Sequence, residues 1–144
     1  MIYADTSCLV KVLRPEPLSA AVWQAIHDEE SVVVSVLAEL ETLVQLKAAW
    51  TGGGLTRNEW RQMETRFGIM KNQPPFAFRL LPAAIFQTGL RQHRNSGNFH
   101  CRSLDRLHLA AMEELRITRL MTHDEGQAKA AKAVGFEVVR PGRD

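Results

Sequence analysis

Arg119-Leu120-Met121-Thr122-His123-Asp124-Glu125-Gly126-Gln127-Ala128-Lys129-Ala130-Ala131-Lys132-Ala133-Val134-Gly135-Phe136-Glu137-Val138-Val139 is the stretch that decides the fold. Arg119 to Thr122 reads as a short strand. Asp124 to Val134 reads as a helix, with Gln127 three residues after Asp124 in the manner of a capping box. Gly135 suits a helix C-cap, and Phe136 to Val139 is the last strand. Strand, helix, glycine and strand in so short a stretch is the repeating unit of a parallel sheet.

The same alternation runs back to the N-terminus. Met1 to Ala4 reads as a buried first strand. Cys8 to Leu13 is a short helix ended by Pro15 and Pro17, and Leu18 to His27 is amphipathic through Val22, Ala25 and Ile26. Ser31 to Val34 is a β-branched strand. Val36 to Trp50 is a helix closed by Gly52-Gly53-Gly54; ten of its fifteen residues are apolar. Such a helix lies centrally in the core or is partly covered by another chain. Thr56-Arg57-Asn58-Glu59 has the capping-box form and opens a helix to about Met70. Phe76 to Leu81 is a strand, Pro82 to His93 a helix, Arg94 to His100 a polar loop, and Ser103 to Leu115 a helix. The expected architecture is one α/β domain over residues 1–144: three layers, with a mostly parallel central sheet flanked by helices.

Composition narrows the class without naming it. The 144 residues are 45% hydrophobic and 24% charged, enough for a core. A formal net charge of +2 permits a phosphate-bearing partner without demanding one. Two cysteines, Cys8 and Cys101, with no C-x-x-C spacing, point to neither a zinc site nor a disulfide framework, and a reduced cytoplasmic protein is expected. The opening residues do not read as a signal peptide, and no apolar run is long enough to span a bilayer.

Four carboxylates fall at predicted strand ends or helix starts: Asp5, Glu39, Asp105 and Asp124. Each has a bland reading as a helix cap or first-turn acid, and Ser103 would cap the helix that carries Asp105. Together they lie on the sheet edge where α/β proteins bind ligands. Acids gathered there would repel one another unless they hold divalent cations, which prefer carboxylate oxygens. Glu41 competes with Glu39, but a two-residue step turns a helix by roughly 200°, so both cannot face one cleft. Glu39, in the first helical turn, is the expected member.

The contexts are Tyr3-Ala4-Asp5-Thr6-Ser7, Val36-Leu37-Ala38-Glu39-Leu40, Leu104-Asp105-Arg106-Leu107-His108-Leu109-Ala110 and Met121-Thr122-His123-Asp124. In this order and spacing the chain resembles the PIN-domain nucleases, and more closely the toxins of VapBC-type toxin–antitoxin pairs. The resemblance covers essentially the whole chain. It implies that Asp5, Glu39, Asp105 and Asp124 bind Mg²⁺ or Mn²⁺, and that Thr6 or Ser7 supplies a hydroxyl beside the first acid. It implies endonucleolytic cleavage of RNA leaving a 5′-phosphate, an antitoxin partner and a homodimer. The helices on either side of the glycine run resemble the arm that grips an antitoxin segment.

Other side chains read two ways. His108, one turn past Asp105, would orient a water, touch a phosphate or simply pack. Lys11 and Arg14 could meet a phosphate backbone, and His123 points away from Asp124. No Ser–His–Asp order and no P-loop is present. An aspartyl-phosphate phosphatase needs a second Asp where Ser7 stands, and a receiver domain needs acids where Tyr3 and Ala4 stand. The remaining alternative is a PIN-like fold kept as a non-catalytic binding module.

Overall fold

Among the described residues five short strands form, with β-branched or aromatic residues in all but the fourth: β1 (Ile2–Ala4), β2 (Val32–Ser35), β3 (Phe76–Arg79), β4 (Arg119–Met121) and β5 (Glu137–Val139). Seven helices connect them among the described residues: α1 (Thr6–Leu13), α2 (Ser19–His27), α3 (Val36–Thr51), α4 (Arg57–Met70), α5 (Ile85–Arg94), α6 (Ser103–Glu114) and α7 (Glu125–Val134). The computed structural model describes residues 1–143. All strand pairings are parallel, in the order β3-β2-β1-β4-β5.

Both sheet faces are covered. Alternate residues along a strand point to opposite faces. Ile2 and Ala4 therefore join Val32, Val34 and Met121 in one core, under α1 to α4, while Tyr3, Val33 and Leu120 join a second core with Ile85, Leu109 and Ala130. Each large apolar side chain buried completely in these layers contributes about 1.5–3 kcal/mol. The result is the expected three-layer α/β domain, with a sheet that is parallel throughout. No helix among the described residues is long and apolar enough to cross a membrane.

Local starts and stops differ in places. α1 begins at Thr6, two residues earlier than expected, because Asp5 is its N-cap and accepts from the Thr6 amide. The Thr56–Glu59 capping box forms as read. Ser103 does not cap α6; it is the first helical residue, and Arg102 occupies the cap position without a side-chain bond to the backbone. β3 ends at Arg79 and α5 starts at Ile85, since Pro82 favours a turn before the helix.

The strand order sets the site. From β1 the chain crosses through α1 and α2 to β2, then through α3 and α4 to β3. It returns through α5 and α6 to β4, on the other side of β1. Connections therefore leave β1 and β4 in opposite directions. This is a topological switch point, where a crevice opens beyond the strand C-termini. The residues following β1 and β4 are Asp5 and Thr122-His123-Asp124.

Candidate active site

Asp5 is 6% exposed and held on both oxygens. Its Oδ1 accepts the Thr6 amide at 2.8 Å, and its Oδ2 accepts the Thr122 hydroxyl at 2.6 Å and the Ser7 hydroxyl at 3.0 Å. Thr122, fully buried, also accepts the Asp124 amide at 3.0 Å. Ser7 in turn accepts the His123 amide at 2.9 Å. Two hydroxyls thus tie the loop after β1 to the loop after β4. Asp124 caps α7 by accepting the Gln127 amide at 2.8 Å with Oδ1, which leaves Oδ2 facing the crevice.

Asp105 comes from the first turn of α6, and Gln127 anchors that turn by donating to the Asp105 carbonyl at 3.2 Å. Arg102, just before the helix, reaches into the crevice. Its Nε donates to Asp105 Oδ2 at 2.9 Å, and its Nη2 lies 3.6 Å from Asp124 Oδ2. The Asp105 bond, then the charges of Asp105, Asp124 and Glu41, hold the guanidinium above its ordinary pKa.

The fourth acid here is Glu41, not Glu39. α3 turns Ala38, Thr42 and Leu46 inward. Glu41 flanks that stripe on the side of the switch point, where it accepts from Thr6 Oγ1 at 3.4 Å and bonds His108 Nε2. Glu39 flanks it on the opposite side and pairs with Lys71, the C-cap of α4, beside the Phe78 ring of β3. The argument that one helix face excludes the other held. Proximity to the start of α3 picked the wrong face.

Behind Glu41 runs a buried chain of bonds. The Ser35 hydroxyl meets the Tyr3 hydroxyl at 2.5 Å, and Tyr3 meets His108 Nδ1 at 2.7 Å. Ser35 already accepts the Ala38 amide at 3.1 Å. His108 donating from Nε2 to Glu41 closes the network. Its Nδ1 then accepts from Tyr3, Tyr3 accepts from Ser35, and no polar atom in the chain is wasted. Burial pushes the Tyr3 hydroxyl far above its ordinary pKa, which keeps it a donor. His108 is 1% exposed, so it positions Glu41 from beneath rather than facing solvent.

The other candidates lie outside the crevice. Lys11 pairs with Glu16, and Arg14 lies beside Gly54 at the turn between α3 and α4. His123 donates to the Pro141 carbonyl at 2.7 Å, away from Asp124. The Trp50 and Trp60 rings stack on each other at 4.2 Å. Sequence reading missed Thr122 and Arg102. The hydroxyl two residues before Asp124 and a base three residues before Asp105 were the available signals.

What remains is a crevice lined by oxygen donors of Asp5, Glu41, Asp105 and Asp124, with a side-chain cation already drawn into it. Oxygen donors of this kind are those hard divalent cations prefer, and the Arg102 guanidinium sits among them. Among the described residues no three His, Cys, Asp or Glu side chains are gathered closely enough to hold an ion as they stand.

A sequence model of the PIN domain matches residues 2–133. The chain is 29% identical over 145 residues to Ribonuclease VapC46 of Mycobacterium tuberculosis (strain ATCC 25618 / H37Rv), covering 97% of each protein. Its fold superposes on that of Mycobacterium tuberculosis VapC20, described as a sarcin-ricin loop cleaving toxin, with a TM-score of 0.72 at 15% identity, over 98% of this chain and 100% of that one. It also matches a chain of a toxin–antitoxin complex from Klebsiella pneumoniae, with a TM-score of 0.68 at 15% identity over 98% of both. With a switch-point crevice built from acids on four separate elements, and a family match across nearly all of its length, the chain belongs to the PIN-domain family.

Proposed function

We infer that this protein is a metal-dependent endoribonuclease and the toxin of a VapBC-type toxin–antitoxin pair, acting in the cytoplasm. The observation that carries the reading is the Arg102 guanidinium drawn between Asp105 and Asp124, in a crevice that also takes the side chains of Asp5 and Glu41. Carboxylates capping α1 and α7 and carried on α3 and α6 make an anionic hole that a cation fills. A polyanionic substrate can enter only when that charge is compensated. The named relative, a ribonuclease, points the same way.

Asp5, Glu41, Asp105 and Asp124 are the residues that would hold Mg²⁺ or Mn²⁺, and Glu39 is outside the set. When bound, such an ion lowers the pKa of a coordinated water and stabilises charge on the phosphate. The chain's own groups prepare that chemistry. Thr6, Ser7 and Thr122 fix the orientation of Asp5. His108 aims Glu41, and the α7 backbone leaves one Asp124 oxygen facing the crevice. Arg102 would have to yield those oxygens to such an ion, and its side chain is 68% exposed.

The partner reading rests on α3. Val36, Leu40 and Val44, at four-residue spacing, are 41%, 59% and 58% exposed, a row of apolar side chains with no cover. A homodimer and an antitoxin segment, the latter lying against α3 and α4, would cover such surfaces.

The test is cleavage of RNA by the purified protein with and without magnesium or manganese, beside Asp105→Asn. The native chain should cut only with metal, and the variant should be silent while remaining folded. Equal cutting by both would sink the assignment. Absence of cutting by the native chain with either metal would favour a non-catalytic binding module.

A further inference from the structure

The buried charge left over from this account is Arg106. It is 5% exposed, yet its Nε, Nη1 and Nη2 have no hydrogen-bond partner among the described residues. Nearby acids are engaged elsewhere: Glu113 with Arg91 and Gln92, Glu114 with Thr88, and Asp105 with Arg102. A desolvated guanidinium with five unmet donors is among the most expensive groups a fold can keep. It makes sense if an anion arrives from outside.

A space for one lies alongside, from which the Arg106 nitrogens are closed off until the side chain shifts. Arg106 lines a groove of about 470 Å³ between α5 and α6, with Phe86 and Leu90 at its mouth and His93 and Ser103 on its walls. The Arg106 stem runs alongside α5 at Gly89, where an added Cβ would meet Arg106 Cγ in ordinary contact at 3.7 Å. Ser103 and Arg106 share the first turns of α6 with Asp105, so groove and crevice open on neighbouring faces of one helix. Residues 91–106 hold four arginines and two histidines against a single acid, Asp105. That balance favours a polyanion over an acidic protein segment. The groove walls are apolar, with the Phe86 ring 57% exposed, which suits a flat base beside the anion.

We propose that the groove between α5 and α6 is a second subsite for the RNA strand, in which Arg106 takes a backbone phosphate next to the cleavage site and Phe86 carries the adjoining base. The proposal rests on the ribonuclease reading and adds a residue outside its acids. Planar guanidinium and phosphate oxygens pair two by two, so the strand would be held in register as well as in place.

The experiment measures binding of a short fluorescein-labelled single-stranded RNA by anisotropy, with magnesium present and in an Asp105→Asn background, so that binding is read without turnover. Arg106→Gln should weaken binding about tenfold and flatten the dependence of log affinity on log salt by about one contact. Leu90→Glu offers a second route. Its carboxylate at the groove mouth should pair with Arg106, raise the melting temperature and weaken RNA binding at least as much. If Arg106→Gln does not fold, Leu90→Glu decides. Either folded variant binding RNA as its background does, with the same salt slope, overturns the proposal. So does a change of oligomeric state with RNA affinity unmoved, which would make the occupant a protein. Should the native chain cut RNA while both variants bind normally, only the subsite fails. If the native chain neither cuts nor binds RNA, the ribonuclease reading falls and takes the subsite with it.

Discussion

Arg102 Nε lies 2.9 Å from Asp105 Oδ2, so the crevice of this nuclease-like fold carries its own counter-ion. The guanidinium and a divalent cation want the same oxygens. Arg102→Ala should therefore bind manganese more tightly than the native chain in calorimetry. It should also melt at a lower temperature in EDTA, where nothing then offsets the carboxylates. Weaker manganese binding by the variant would mean that Arg102 helps the ion rather than competing with it.

Glu41→Gln should lower both manganese affinity and RNA cleavage at least tenfold, or about 1.4 kcal/mol. Glu39→Gln should leave cleavage unchanged and shift stability by at most about 1 kcal/mol, because it loses only the partly exposed pair with Lys71. Manganese titration and a cleavage time course on both variants give the ranking.

Tyr3→Phe tests the buried chain behind Glu41. It leaves His108 Nδ1 and the Ser35 hydroxyl without their shared partner, which should destabilise the fold by about 1–3 kcal/mol. With Glu41 less firmly aimed, cleavage should fall while RNA affinity holds. A stability loss with full activity would limit the chain to a packing role.

His123 predicts a pH effect on stability. Burial lowers its pKa, outweighing its bond to the Pro141 carbonyl. The unfolded chain then takes up a proton near pH 6.5 that the folded chain refuses, so this contribution is full above that pH and is lost as pH falls below it. His123→Gln should flatten the decline in urea midpoint between pH 7.5 and 5.5, relative to the native chain. An unchanged slope would assign the decline to other groups.

Thiol labelling should separate the cysteines. Cys8 is buried at 1% exposure and its thiol is pushed up to about 12, chiefly by desolvation. Cys101 is only partly buried. One equivalent of label is expected for the native chain and two in denaturant, read by mass spectrometry.

The sequence carried the fold because its strands are short apolar runs between unmistakable punctuation, such as the Gly135 cap and the Thr56–Glu59 box. Parallel order and switch point then follow from connection rules. The placement of Asp5, Asp105 and Asp124 around the switch point follows as well, since Asp5 and Asp124 directly succeed strands and Asp105 opens a helix. The placement of Glu41 was hidden by α3 itself. Period tells which residues share a face, but not which face looks inward. A helix with Leu40 and Val44 on its outer side gives no contrast by which to find Ala38, Thr42 and Leu46 on its inner one. Arg102 was hidden for another reason. A residue just outside a helix obeys no period, so its reach toward Asp124 depends on tertiary placement alone.

The Thr122 hydroxyl ties together two chain segments more than a hundred residues apart, and this gives the protein a built-in gauge. The Asp5 amide donates to the Met121 carbonyl at 3.0 Å, directly beneath that hydroxyl. Any opening that parts the first strand from the fourth must release this amide, and it must separate Asp5 from Asp124 in the same motion. The exchange rate of one backbone proton therefore counts how often Asp5 and Asp124 are parted.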